Sequence, residues 1–294
     1  MEDKTKEIMT NVNTLDLTKL HAPLGAEICG LDLTAQLPEP TVGAILSAWY
    51  KHQVLVFRDQ KLSPQQLVDF TAQLGEPGRP RMPSQAVRDI IPDLPPEIMI
   101  VSNVRVDGKP LGLAHDGEMW FHSDMCYAEV PHIATLLYAV DLPSSGGNTK
   151  FANMYAAYEN LPSEIREKLR SRKALQVHDY KRTERPGIDL DLSKIGNYAH
   201  PVFVTHPETE KKALYVNRLM TARIEDLERD ESDALLEQLF SVGEDPDIIY
   251  EHVWQSGDLV MWDNRCVTHA RTDFPHEERR LLQRTTLVGT EAPR

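Results

Sequence analysis

The period of the hydrophobic pattern changes along the chain. Between Thr41 and Tyr50 apolar residues recur on one face of a helical repeat, which predicts an amphipathic helix after Pro38 and Pro40. The next segment, His52 to Arg58, is an unbroken β-branched and aromatic run, the pattern of a buried strand. Ser63-Pro-Gln-Gln supplies an N-cap and a first-turn proline for a second helix, which runs to about Leu74 before Gly75 stops it. Upstream, Gly25 to Leu33 reads as a short strand and turn. Between Gly75 and Pro96 prolines recur at 77, 80, 83, 92, 95 and 96, so this stretch is expected to be a long loop, and long loops in compact domains are usually functional.

From Ile98 onward strands dominate. They are expected at Ile98 to Arg105, Trp120 to Met125, Ile133 to Val140, Leu175 to Tyr180, Pro201 to Thr205, Leu214 to Asn217, Ile248 to Val253, Asp258 to Trp262 and Leu281 to Val288. Helices interrupt at Met154 to Leu161, Ser163 to Arg172 and Glu231 to Ser241. This order is mainly β with helices in blocks, an α+β pattern that lacks the regular alternation of a doubly wound sheet. A two-layered jelly roll decorated by helices and long loops accommodates it. No repeat period and no Gly/Ser-rich linker divides the chain, so residues 21–294 are read as one domain, with a helical and loop insertion around 154–215 and an N-terminal extension over 1–20.

Composition narrows the partners. Of 294 residues, 45 are acidic and 32 basic, a formal charge of −13, and no long basic run offers a footprint for phosphates or an anionic membrane. No segment reaches the roughly 18 apolar residues that span a bilayer, and the first 21 residues are charged where a signal peptide would be apolar. Nucleic acid and membrane are therefore not expected as partners, and the cytoplasm is the expected compartment. Three widely spaced cysteines, Cys29, Cys126 and Cys266, argue against a disulfide framework or a zinc ribbon.

The chemistry is carried by histidines and carboxylates. His122-Ser-Asp124 lies in a strand-like run, where residues two apart project from one face. Alone it is weak: the composition supplies about two His-x-acid matches by chance, and the chain also has His206/Glu208 and His276/Glu278, both in polar turns. A second feature adds to it. Gly257 to His269 reads as a turn, a strand and a histidine just beyond, followed by Arg279, Arg280 and Arg284 near the last strand. Two histidines and one carboxylate on one face of a metal leave three positions open, as in non-haem Fe(II) oxygenases. A planar guanidinium could hold the far carboxylate of a 2-oxo acid through paired hydrogen bonds.

These residues resemble the taurine dioxygenase and 2,4-dichlorophenoxyacetate dioxygenase family of Fe(II)/2-oxoglutarate-dependent oxygenases. The resemblance spans Gly25 to Gly289. It is carried by the Gly-Ala-Glu-Ile-x-Gly-Leu-Asp-Leu stretch from Gly25, His122-x-Asp124, Leu142-Pro-Ser-Ser-Gly-Gly-Asn-Thr149, His200-Pro-Val-Phe-Val-Thr-His-Pro207, Leu214-Tyr-Val-Asn217, Trp262-Asp-Asn-Arg265 with His269, and Arg280-x-x-x-Arg284-x-Thr286. It implies a double-stranded β-helix, a distorted cupin-like jelly roll. His122, Asp124 and His269 are implied as iron ligands, Thr149 as a hydrogen-bond donor to 2-oxoglutarate, Arg284 as the clamp on its distal carboxylate and Arg280 as a second arginine near the same site. Fe(II), 2-oxoglutarate and O2 are the implied reactants, and the implied reaction is hydroxylation of a small anionic molecule with release of succinate and CO2.

The chain departs from the family's pattern in three places. Phe121 precedes the first ligand where tryptophan is usual, and Glu118 stands where the taurine enzyme has an asparagine. A carboxylate there disfavours a sulfonate. Arg79 and Arg81 occupy the neighbourhood of the family's substrate-loop histidine. Glu118, Arg79 and Arg81 are thus candidate substrate contacts, with a solvated loop as the alternative for each, and Arg280 has a surface ion pair with Glu277 or Glu278 as its alternative. Two other functional classes are carried forward: a metal-dependent jelly-roll enzyme that uses no 2-oxo acid, and a non-catalytic small-molecule sensor. A homo-oligomer, dimer or tetramer, is compatible with the sequence.

Overall fold

The computed structural model describes residues 15–80, 87, 89, 91, 93–112, 117–179, 184–186 and 191–294. Its largest element is a seven-stranded sheet in the order β1 (Asp16–Lys19), β2 (Ala26–Cys29), β3 (Val54–Phe57), β16 (Leu259–Asp263), β8 (Ala134–Asp141), β18 (Leu281–Leu287) and β4 (Met99–Ser102). Only β2 and β3 run parallel; the other neighbours are antiparallel. A four-stranded sheet faces it, ordered β15 (Ile249–His252), β9 (Thr149–Asn153), β17 (Val267–Arg271) and β7 (Met119–His122). Between the sheets Trp262 of β16 packs on Phe151 of β9, with ring centroids 5.2 Å apart, and on His269 of β17 at 4.7 Å.

The large sheet is buried on both faces, which explains why its central strands read as continuous apolar runs. Val54, Val56, Leu137, Val260, Trp262 and Leu282 point into the space between the sheets. The alternate residues Leu55, Phe57, Leu136, Tyr138, Leu259 and Met261 meet helices α1 (Glu39–His52) and α2 (Pro64–Leu74) through Ile45, Trp49, Leu67 and Phe70. Each fully buried side chain of this kind stabilises the fold by about 1.5–3 kcal/mol before entropy is counted. Helix α2 begins where the sequence implies: the Ser63 hydroxyl accepts from Gln66 N–H, while the Gln66 amide oxygen accepts from Ser63 N–H.

The same alternation aims the chemistry. On β18, Leu282, Arg284 and Thr286 share the inward face, whereas Thr285 turns outward to Thr71 of α2. The segment expected as an insertion holds α3 (Met154–Asn160), α4 (Ser163–Leu169) and most of two small sheets. These pair β11 (Asn197–Pro201), β10 (Lys173–Val177) and β14 (Thr221–Ile224), and β12 (Phe203–Thr205) with β13 (Lys212–Leu214). Helix α5 (Arg229–Gly243) packs on β14 and α3, and a hairpin of β5 (Arg105–Val106) and β6 (Lys109–Pro110) follows β4. The jelly-roll core with attached helices is thus the architecture expected.

Several local expectations differ from what is found. Asp16–Lys19, within the expected N-terminal extension, is an edge strand of the large sheet. The strand expected over Trp120 to Met125 ends at His122, and Asp124 lies in a turn, with Met125 at φ 59°. His269, expected just beyond a strand, sits in the middle of β17. All three cysteines are free thiols. Among the described residues no helix is long and apolar enough to cross a membrane.

Candidate active site and metal centre

His122 and His269 are brought together by strand register. They are direct partners across β7 and β17, and their ring centroids lie 4.1 Å apart. The turn after β7 returns Asp124 to the same spot, so that ligand atoms of His122, Asp124 and His269 all lie within 4.8 Å of one another, each residue buried. Same-face projection along one strand does not account for the pair, because Asp124 is off the strand; the turn supplies the geometry.

The protonation states suit a cation. Burial, the largest influence, pushes both imidazoles below the ordinary histidine value, His269 well below it, so both are neutral at pH 7. For Asp124 burial pulls upward, but Arg284, His269, His122 and the Thr135 hydroxyl outweigh it and hold the carboxyl far below its usual range. Arg284 Nη1 donates to Asp124 Oδ1 at 3.0 Å, and Thr135 Oγ1 donates to Oδ2 at 2.6 Å. His122 Nδ1 hydrogen-bonds to the Trp120 carbonyl at 3.0 Å, which assigns its proton there and leaves Nε2 free. The buried Nδ1 of His269 has no hydrogen-bond partner among the described residues. Two neutral imidazoles, one with an orphaned buried nitrogen, and an ionised carboxylate fit a divalent metal with open positions.

These groups open onto a cavity of about 320 Å3, within the usual range for small-molecule sites. Thr149, first residue of β9, lines it, its hydroxyl accepting from the Trp254 indole at 3.1 Å. Arg280 lines it too, from just before β18, and is only 2% exposed. Its Nε and Nη2 both donate to the Gly147 carbonyl, at 3.1 and 2.9 Å, and no carboxylate pairs with it among the described residues. Burial, with Arg271 nearby, pulls this guanidinium down to about 9, still cationic at neutral pH. The surface pairing considered for Arg280 therefore does not occur: Glu278 hydrogen-bonds Ser144 instead.

The remaining candidates divide. Arg79 stands at the cavity rim, 73% exposed and ion-paired to Glu97 at 3.1 Å. Glu118 is exposed and is not among the described residues that line the cavity, while Arg81 lies outside the described residues. Arg279, grouped with the arginines of the site on sequence, points to solvent and pairs with Asp141 at 2.8 Å. Its place is taken by Arg271, which the sequence reading missed although its spacing of two from His269 on a strand puts both on one face. His132 also lines the cavity, and its ring has no hydrogen bond among the described residues.

Residues 16–286 match the family described as taurine catabolism dioxygenase TauD, TfdA family. The chain belongs to this family. Pentalenolactone F synthase of Streptomyces avermitilis is 32% identical over 93% of this chain and 94% of its own length. The (S)-phenoxypropionate/alpha-ketoglutarate-dioxygenase of Sphingobium herbicidovorans is 31% identical over 94% and 96%. Among solved structures, AAD-2 in complex with Mn(II) and N-oxalylglycine has a TM-score of 0.77 at 27% identity, covering 95% of this chain and 99% of that one. A taurine dioxygenase from Burkholderia xenovorans has a TM-score of 0.76 at 29% identity, covering 95% and 92%.

As a TauD/TfdA family member the protein is a 2-oxoglutarate-dependent non-haem iron dioxygenase, using Fe(II), 2-oxoglutarate and O2. The readings as an enzyme without a 2-oxo acid, or as a sensor, are set aside. A second buried group, His206, Asp263 and Cys266, also has metal-ligand chemistry. The lone pairs of its carboxylate and imidazole are already committed. Asp263 accepts from His206 and from Arg265 Nε and Nη2, and His206 Nδ1 accepts from Glu208 and Thr209 N–H. It serves to lock the turn between β16 and β17 that presents His269.

Proposed function

We propose that this enzyme hydroxylates a small anionic organic molecule while 2-oxoglutarate is split to succinate and CO2. Carrying the reading is the Arg280 guanidinium, buried in the cavity wall without a carboxylate partner among the described residues. A buried cation of this kind is costly unless an anion completes it. His122, Asp124 and His269 would hold the iron, which when bound with 2-oxoglutarate and O2 supplies the oxidising equivalent for oxygen insertion into a C–H bond.

Geometry favours exchanging the two arginine roles expected from spacing. Arg284 already contacts the metal-binding carboxylate, so it lies at the metal end of the cosubstrate. Arg280, held against Gly147 two residues before Thr149, has no bond to any of the three ligands and is suited to the distal carboxylate together with the Thr149 hydroxyl. Arg271, whose charge acts on Arg280, borders the same end: it faces Thr149 in register across β17 and β9.

For the organic substrate, the described lining residues include four arginines, at 79, 271, 280 and 284, against two carboxylates, Glu97 and Asp124. With the charge of Fe(II) added, that surplus exceeds the two negative charges of 2-oxoglutarate and favours an anion as the organic substrate. The wall from Ile98 to Val101 with Met119 and Leu137 offers an apolar body a place, and His132 beside Arg284 can hydrogen-bond it. Substrate-dependent succinate release, measured for candidate carboxylates and sulfate esters against their neutral methyl esters or alcohols, tests the reading. Release with the anions alone supports it; equal release with the neutral forms refutes an anionic substrate.

A further inference from the structure

Behind Thr149 lies a polar network that the metal chemistry does not use. His252 of β15 opposes Thr149 of β9 in register, and Trp254 follows two residues later. The imidazole of His252 is held at both nitrogens, by Tyr250 Oη at 2.8 Å and Asp258 Oδ2 at 3.0 Å, and Asp258 is paired to Arg58 at 2.6 Å. Trp254 stands edge-on to this fixed ring, with centroids 4.6 Å apart at 84°, and so is itself fixed. Its Nε1 donates to Thr149 Oγ1 at 3.1 Å.

An indole N–H can only donate, so Thr149 must accept, and its own hydroxyl proton has to point elsewhere. Among the described residues that hydroxyl has no acceptor, and the side chain borders the cavity beside Arg280. We infer that Trp254 is a positioning residue for the cosubstrate, whose indole N–H commits the Thr149 hydroxyl to donating to the distal carboxylate of 2-oxoglutarate. Accepting one hydrogen bond also strengthens the one donated. The inference rests on the reading that Thr149 contacts that carboxylate.

The test is equilibrium binding to the Mn(II)-loaded enzyme, which binds the cosubstrate without turnover. 2-Oxoglutarate is compared with 2-oxopentanoate, which has the same chain length and lacks the distal carboxylate. Trp254→Phe is expected to weaken 2-oxoglutarate about fivefold, as loss of one supporting hydrogen bond implies, and to leave 2-oxopentanoate and Mn(II) affinity unchanged. In a Thr149→Val background the same change should add nothing. Equal weakening of both ligands, or full additivity, means that Trp254 only packs and overturns the inference. Unchanged 2-oxoglutarate binding in Thr149→Val overturns the reading of Thr149 itself. Weakened binding there with wild-type binding in Trp254→Phe overturns the inference alone. A measurement that needs no tryptophan variant is the indole N–H resonance of Trp254 in the Zn(II)-loaded protein. It should shift with 2-oxoglutarate and not with 2-oxopentanoate; no response to 2-oxoglutarate contradicts the inference.

Discussion

His122 and His269 face each other in register across β7 and β17, and that one cross-strand pair fixes the distance between two proposed metal ligands far apart in the chain. Register thus places the two histidines on the sheet, and the turn after β7 adds Asp124 to them. Replacing His122, Asp124 or His269 with Ala is therefore expected to abolish succinate formation and weaken Fe(II) binding while leaving the fold intact. Metal affinity and succinate release at matched iron loading check this; wild-type succinate formation in any of the three would rule out that residue as a ligand.

Arg280 makes stability and function pull apart. In Arg280→Met a buried cation without a carboxylate partner is replaced by an apolar chain of similar reach, so the melting temperature of the ligand-free protein should hold or rise. Affinity for 2-oxoglutarate should fall at least about 30-fold, the loss expected of a charge-assisted hydrogen bond worth about 2 kcal/mol or more. Calorimetric melting with and without 2-oxoglutarate reads both effects. A variant that 2-oxoglutarate still stabilises as it does the wild type contradicts the assignment.

Acid should destabilise the ligand-free protein from the neutral side. Burial lowers the pKa of His122, His132, His200, His252 and His269 below the ordinary histidine value of 6.5, so the unfolded chain takes up protons first as the pH falls. With folded values below unfolded ones, stability is fully present above about 6.5 and declines as the pH drops toward the folded values. Asp124 and Asp263, also lowered, extend the decline below the ordinary aspartate value of 3.8. Unfolding free energy measured between pH 7.5 and 5 should fall, and a flat or rising profile would contradict this account.

The turn before Thr149 depends on glycine. Gly146 has φ +69°, and a Cβ there would collide with the Asp273 carbonyl oxygen. Gly146→Ala should cost about 1–3 kcal/mol of stability, from backbone strain plus overpacking. It should also weaken 2-oxoglutarate binding, because Gly147 and Thr149 move with the turn. Denaturant titration and cosubstrate binding measure the two effects.

His132 is expected to distinguish substrate from cosubstrate. Gly78 lets it approach, since a Cβ at that position would come within 2.6 Å of the imidazole Cε1. His132 lines the cavity without a hydrogen bond to Arg280, Arg284 or Thr149, so His132→Ala should raise the KM for the organic substrate at least several-fold and leave that for 2-oxoglutarate unchanged. Steady-state kinetics with each varied in turn distinguishes this from a general loss of packing, which would move both.

Much of this was readable in the sequence where local signals coincide with tertiary ones. Ser63 and Gln66 mark the start of α2, and Val54–Phe57 and Leu259–Trp262 are apolar throughout because helices cover the sheet's outer face. The strands that carry the site were harder to see. Thr149–Asn153 and Val267–Arg271 mix polar residues into buried positions, because Thr149, His269 and Arg271 line the cavity while Phe151 and Val267 pack in the core. Asp124 is implied by the family resemblance, while the strand-face argument that accompanies it does not hold, since a turn, not a pleat, delivers the carboxylate. Arg271, Arg280 and Arg284 are sorted only by three-dimensional partners, Gly117 for the first, Gly147 for the second and Asp124 for the third. Spacing alone does not distinguish an arginine at the metal from one at the far end of a five-carbon acid.

The most direct test of the whole account is anaerobic titration of the Fe(II)-loaded protein with 2-oxoglutarate, following the visible charge-transfer absorption of the chelate. The account predicts a band that saturates at one equivalent per chain, disappears in His269→Ala, and in Arg280→Met forms only at far higher 2-oxoglutarate. Absence of the band in folded, iron-saturated wild-type protein with excess 2-oxoglutarate would contradict it.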